Sequence, residues 1–200
     1  LDEASANGED DTIQVVQGTY TGNFDYDSSE GSGIVIKGGF TPGCSKQKVD
    51  PSQTVLDGGG SGRVLFIEDI KGGHIRVENV TVRGGKGASG EHGSGIYARS
   101  FAYEAGDAGN ITISSNIIVN NYTTSAQGGG IFASSYASGS ASESAGNISL
   151  TNNVIAGNRI VGNTQGGGGI FGHMYSATGS VGEISLLNNT ITENRTGGNG

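Results

Sequence analysis

The chain has 200 residues and a formal net charge of −8; 39 residues are glycine, two are proline and one is cysteine. That charge excludes a nucleic-acid-binding protein, which needs a basic face. The single cysteine, Cys44, excludes an internal disulfide framework, and no apolar run approaches the roughly 20 residues of a membrane helix. The glycines follow no three-residue period, which excludes collagen. At 33% apolar residues the chain is too poor for a thick globular core. A narrow tube of stacked coils needs less, because each inward position is one side chain in a column.

Leu1 to Asn7 reads as the end of a helix stopped by Asn7-Gly8, so residues 1–8 form a helical cap over the first coil. Leu1 is no native start, which agrees with removal of a leader. Residues 9–92 carry irregular coils. Thr12 to Val16, Ile34 to Ile36 and Thr54 to Leu56 read as the three strands of the first coil, with Asn23 to Ser32 a polar loop between the first two. Val64 to Ile67, Ile75 to Val77 and Val80 to Val82 form the second coil.

From Gly93 to Gly200 the pattern is regular. Gly93-Ser94-Gly95-Ile96-Tyr97, Gly128-Gly129-Gly130-Ile131-Phe132 and Gly167-Gly168-Gly169-Ile170-Phe171 are copies of one block. A second block begins at Ile111, Ile148 and Ile184, spaced 37 and 36 residues, and a third is Ile118-x-x-Asn121, Ile155-x-x-Asn158 and Ile191-x-x-Asn194. Blocks in fixed order at a constant period are the signature of a solenoid. Short β-branched runs separated by Gly and Asn turns predict an all-β, right-handed parallel β-helix: about five coils of three short strands in a single domain, 1–200. Ile111, Ile148 and Ile184 should be adjacent and buried. Asn116, Asn153 and Asn189, at the same spacing, should form a ladder at the bend between strands, where Asn tolerates left-handed backbone. The same role, rather than glycosylation, accounts for the sequons at Asn79, Asn110, Asn121, Asn147, Asn188 and Asn194. The chain stops at Thr196 to Gly200 as another coil opens, which predicts further coils, or an end covered by another body or by end-to-end self-association.

The Gly-Gly-x-Ile and Ile-x-x-Asn repeats of Gly93 to Gly200 resemble the repeats of the polymorphic outer-membrane proteins, which are β-helical autotransporter passenger adhesins, and those of right-handed parallel β-helix repeat proteins generally. This chain has Gly where that family has Ala, and Ile where it has Phe. The resemblance implies a β-helix, an extracellular or cell-surface location such as the bacterial outer surface, and adhesion.

Candidate chemistry is sparse. His74, His92 and His173 lack ligand spacing, and Cys44 has no evident base. Calcium is conceivable at Asp57-Gly58-Gly59-Gly60 or Gly8-Glu9-Asp10-Asp11, but neither carries a known ligand pattern, so no cofactor is expected. The Gly-rich turns open no helix and hold no phosphate. Among the acids, Asp69, Glu104, Asp107 and Glu143 each precede a strand. They are the basis of a rival reading as a polysaccharide lyase or glycoside hydrolase. Tyr103, Tyr136 and Tyr175 stand one per long loop among Ser, Ala and Gly, a composition suited to adaptable contact surfaces. The expectation is therefore a non-enzymatic surface or matrix solenoid with no catalytic residues and no metal. It binds a glycan or a cell-surface protein through these tyrosines, does not insert this segment into a membrane, and has a structural fibre-forming rod as its second rival.

Overall fold

The computed structural model describes every residue except 104–105, 125–126, 140–141, 163–165 and 198–200. Its strands fall into parallel sheets that stack into a β-helix. Sheet A holds Asp11–Val16, Ile34–Phe40, Ile75–Glu78, Ile111–Ser114, Ile148–Thr151 and Ile184–Leu187. Sheet B runs from Gly18–Thr21 to Thr190–Thr192, and sheet C contains Phe24–Ser28, Leu65–Asp69, Ile96–Ala102, Ile131–Ala137 and Ile170–Ser176. Each turn of chain passes from A through B to C, and neighbouring coils lie one strand spacing apart, roughly 4.8 Å.

The regular coils have four strands rather than three. Lys86–Gly87, Tyr122–Thr123, Arg159–Ile160 and Arg195–Thr196 make a narrow sheet D between B and C. Two residues are too few for alternation to show in sequence. The first coil also differs from expectation. Asp11–Val16 and Ile34–Phe40 are not consecutive strands of one coil but neighbours in sheet A, with Ile13 opposite Ile36. The segment between them is not a plain loop either, since Phe24–Ser28 pairs with Leu65–Asp69 in sheet C and buries Tyr26 fully. Acidic residues at Asp25 and Asp27 point outward and hide this strand among polar residues.

The expected helical cap is absent. Residues 1–8 form a turn, closed by Ser5 N–H donating to the Leu1 carbonyl at 3.0 Å. Gly8 is left-handed, at φ 73°, and the next N–H, of Glu9, bonds to the Asn7 side chain instead of continuing a helix. Ala4 is nevertheless buried and Leu1 packs on the core, so the segment still lies over the first coil. Pro51–Gln53, a 3-10 turn, is the only helical segment among the described residues.

The core is a set of aliphatic columns. Ile34, Ile75, Ile111 and Ile148 are in register and buried, as are Ile36, Val77, Ile113 and Leu150. Each such side chain contributes about 1.5–3 kcal/mol. Ile184 takes the expected register opposite Ile148 but is 38% exposed, contrary to expectation, because no coil of the described chain covers its outer side.

The expected ladder is present. Asn153 Oδ1 accepts both the backbone N–H (3.0 Å) and the side-chain Nδ2 (3.2 Å) of Asn116, and Asn189 Oδ1 does the same for Asn153. Each Nδ2 also donates to the preceding coil at the same corner, as Asn153 does to the Ile113 carbonyl at 2.8 Å. The left-handed residues, however, are the ones just before: Ser115, Asn152 and Asn188, with φ of 57°, 57° and 55°. A second ladder, Asn121, Asn158 and Asn194, repeats the same bonds at the B-to-D corner.

Candidate functional site

Alternation in sheet C sends Ile96, Ala98, Ser100 and Ala102 inward and Tyr97, Arg99 and Phe101 outward. The register then stacks outward residues into three columns. The first is Phe66, Tyr97, Phe132 and Phe171. The second, through the middle of the face, is Glu68, Arg99, Ser134 and His173, and the third is Phe101, Tyr136 and Tyr175. A polar column therefore runs along the axis between two aromatic columns, with Ser134 buried in its middle and its hydroxyl 3.4 Å from His173 Nδ1.

The first column is close-packed. Its rings lie nearly parallel, with centroids 4.9, 5.0 and 5.6 Å apart. Arg63 lies over Phe66 and Tyr97, 4.4 and 4.9 Å from their centroids. His92 lies almost parallel to Phe132 at 4.9 Å, and its Nδ1 accepts the Gln127 N–H at 3.0 Å. Burial, then the nearby Arg63 charge, holds the His92 imidazole below its usual pKa. Burial and then the Glu68 carboxylate push the Tyr97 phenol upward, so it stays protonated and can donate to Glu68 Oε2 at 3.1 Å. The same oxygen accepts from Arg99 at 3.1 Å, and the Arg99 guanidinium sits 4.4 Å over the Phe101 ring.

The third column is more open. Tyr136 stacks on Tyr175 at 4.6 Å and meets Phe101 edge-on at 5.1 Å. Tyr175 is 41% exposed and Tyr136 half-buried. Both lie within strands rather than at loop tips, a correction to the expected placement. Tyr103 is not in their row, because Phe101 holds that register. Tyr103 lies two residues further on, 66% exposed, with its ring edge-on to Phe101 at 5.7 Å. The structure thus brings Tyr136 and Tyr175 together and sets Tyr103 at their margin. Phe101, Arg99 and His173 are the members sequence reasoning missed, and the signal was available: counting the seven-residue strands by twos aligns them.

The remaining candidates are engaged elsewhere. Asp69 is fully buried and accepts the N–H groups of Gly31, Lys71 and Gly73 at 3.1, 2.9 and 2.7 Å. Asp107 accepts the Ser144 N–H at 2.7 Å, and the Glu143 carboxylate is enclosed against Gly139 without a hydrogen-bond partner. Glu104 lies outside the described residues. In the two runs weighed for calcium, Asp57 accepts the Gly59 N–H and pairs with Arg83, and Asp10 accepts the Gly33 N–H of the next coil. His74 lies just before a sheet A strand and His173 within sheet C, and no metal-binding cluster of three or more His, Cys, Asp or Glu occurs among the described residues. No family model, curated protein or solved structure matches this chain.

Proposed function

We propose that this protein is a non-catalytic, surface-located solenoid, adhesin-like or part of a matrix, that binds an extended partner along the outer face of sheet C. The observation that carries this reading is the polar column of Arg99, Ser134 and His173 flanked by two aromatic columns over three coils, with Tyr175 exposed at its margin. Its repeat, roughly 4.8 Å per coil, suits an extended polymer, a peptide or a glycan, lying parallel to the axis. Tyr136 and Tyr175 stack face to face and Phe101 packs edge-on against Tyr136, so these rings have little side-chain freedom left to lose on binding. Two of the carboxylates on which an enzymatic reading would rest, Asp69 and Asp107, favour a structural role, since they hold backbone N–H groups.

Binding of immobilised matrix proteins and of a glycan array by the intact chain tests this. A Tyr136→Ala/Tyr175→Ala variant should lose at least tenfold in affinity. Tyr20→Ala, on sheet B, should not. Equal binding by both variants overturns the reading. Polysaccharide cleavage by the parent that disappears in Asp107→Ala or Glu143→Ala establishes the enzymatic alternative.

A further inference from the structure

A second concavity lies on another face of the tube, over the first four strands of sheet A. It has a volume of about 310 Å³, at the small end of ligand pockets. Its origin is a gap in a side-chain column. The residue just before each sheet A strand is Asp10, Gly33, His74, Asn110 and Asn147 in successive coils. Each side chain there accepts the backbone N–H of the next coil. Asp10 Oδ1 takes Gly33 N–H at 2.6 Å, His74 Nδ1 takes Asn110 N–H at 2.8 Å, and Asn110 Oδ1 takes Asn147 N–H at 2.7 Å. Gly33 has no side chain, so the column is interrupted and a notch opens between Asp10 and His74.

These bonds also orient what remains. Asp10 keeps Oδ2 as an acceptor. His74, with Nδ1 accepting, carries its proton on Nε2 as a donor, and Asn110 keeps its amide donors. All three residues are exposed. The neighbouring column supplies Thr12 and Thr112 hydroxyls at the ends and the Val35 methyls in the floor. Arg76 lines the notch too, but its guanidinium is held by Glu78. Asp11, whose carboxylate accepts from Asn7 at 2.8 Å, adds a second negative charge at the rim. An anionic ligand is repelled by Asp10 and Asp11. An apolar one leaves the oriented polar atoms unpaired, which costs about 1–3 kcal/mol each.

We infer that this notch is a binding site for a single neutral pyranose, with its C–H face on Val35 and vicinal hydroxyls shared between Asp10 Oδ2 and the His74 and Asn110 donors. A vicinal diol gives and accepts hydrogen bonds at once, which matches an acceptor flanked by donors, and the flat aliphatic floor matches one face of the ring. The site is independent of the sheet C face, and either can fail without the other.

The test is amide chemical-shift mapping of the intact chain with methyl glycosides of glucose, galactose and N-acetylglucosamine, alongside glucuronate. At least one neutral glycoside should shift the amides of Gly33, His74 and Asn110 saturably at millimolar concentration. Gly33→Val fills the notch. A Cβ there lies 3.3 Å from Asp10 Oδ1 and from the His74 carbonyl oxygen, so both must give by a few tenths of an ångström, and the backbone is not left-handed; a denaturant titration of the variant checks that it still folds. It should abolish the shifts, while Asp10→Asn, a surface change, should weaken binding at least tenfold. Tyr20→Ala, on sheet B and outside both sites, should bind the same sugar unchanged. Absence of saturable shifts for all three neutral sugars, binding that survives both Gly33→Val and Asp10→Asn, or glucuronate binding as tightly as the neutral sugars overturns the inference.

Discussion

At the corner where sheet C passes into sheet A, backbone N–H groups of Gly73, Gly109 and Gly146 need acceptors inside the tube. Asp69, Ser100 and Ser135 provide them at 2.7, 2.7 and 2.8 Å from one register column. A buried acid thus replaces a buried hydroxyl, because the shorter turn at Gly73 brings the Gly31 and Lys71 N–H groups to the same carboxylate. Single residues also set the pH behaviour. His92 is neutral in the folded chain and its folded pKa is depressed, chiefly by burial beside Phe132. Its contribution to stability is therefore complete above the unfolded value of about 6.5 and is lost as pH falls below that toward the depressed folded value. The urea midpoint of the parent should fall as pH drops from 7.5 to 5, and His92→Gln should flatten that fall. A parallel decline in both proteins means His92 is not the sensor.

At the scale of the element, the two repeated motifs turn out to be one device. The glycine before each Ile of the Gly-Gly-x-Ile block packs against an asparagine of the Ile-x-x-Asn block. A Cβ on Gly95, Gly130 or Gly169 would lie 2.7, 2.8 or 2.9 Å from the Nδ2 of Asn121, Asn158 or Asn194. The same Cβ on Gly130 would meet the Gly169 carbonyl oxygen at 2.7 Å. The reason is proximity rather than a special backbone angle, since Gly130 is not left-handed. Gly130→Ala must displace the Asn158 ladder or the sheet C corner. It should destabilise the chain by about 1–3 kcal/mol, the range for overpacked sites, read from denaturant titration. A change under a few tenths would mean that the corner can relax and that the pairing of motifs has another cause.

Over the whole molecule, each coil contacts mainly its neighbours, so stability is close to a sum of coils and their interfaces. Removal of residues 111–147 joins Asn110 to Ile148 and places Ile170–Ser176 on Ile96–Ala102. In that arrangement Asn153 faces Val80, the place Asn116 holds now, and Asn158 faces Gly85, the place of Asn121. The shortened chain should fold with its sheets intact and with a urea m-value lower by about a fifth, in proportion to the surface removed. Loss of a cooperative transition would show that the coils are not interchangeable units.

What the sequence determined by itself was whatever repeats: the β-helix, the columns of Ile111 and Ile148, and the Asn116, Asn153 and Asn189 ladder. Periodicity reports these because every coil solves the same packing problem with the same residue type. The tertiary structure decided whatever does not repeat or is shorter than a period. Sheet D is two residues wide, the strand Phe24–Ser28 is written in acids and aromatics, and residues 1–8 remain a turn that ends at a left-handed Gly8. Tyr103 and Tyr136 look equivalent in their loops, yet register puts Phe101 beside Tyr136. Loop lengths between coils vary, so only backbone pairing, not spacing along the chain, fixes which side chains share a column. The binding face proposed for sheet C and the notch at Gly33 are both consequences of that pairing.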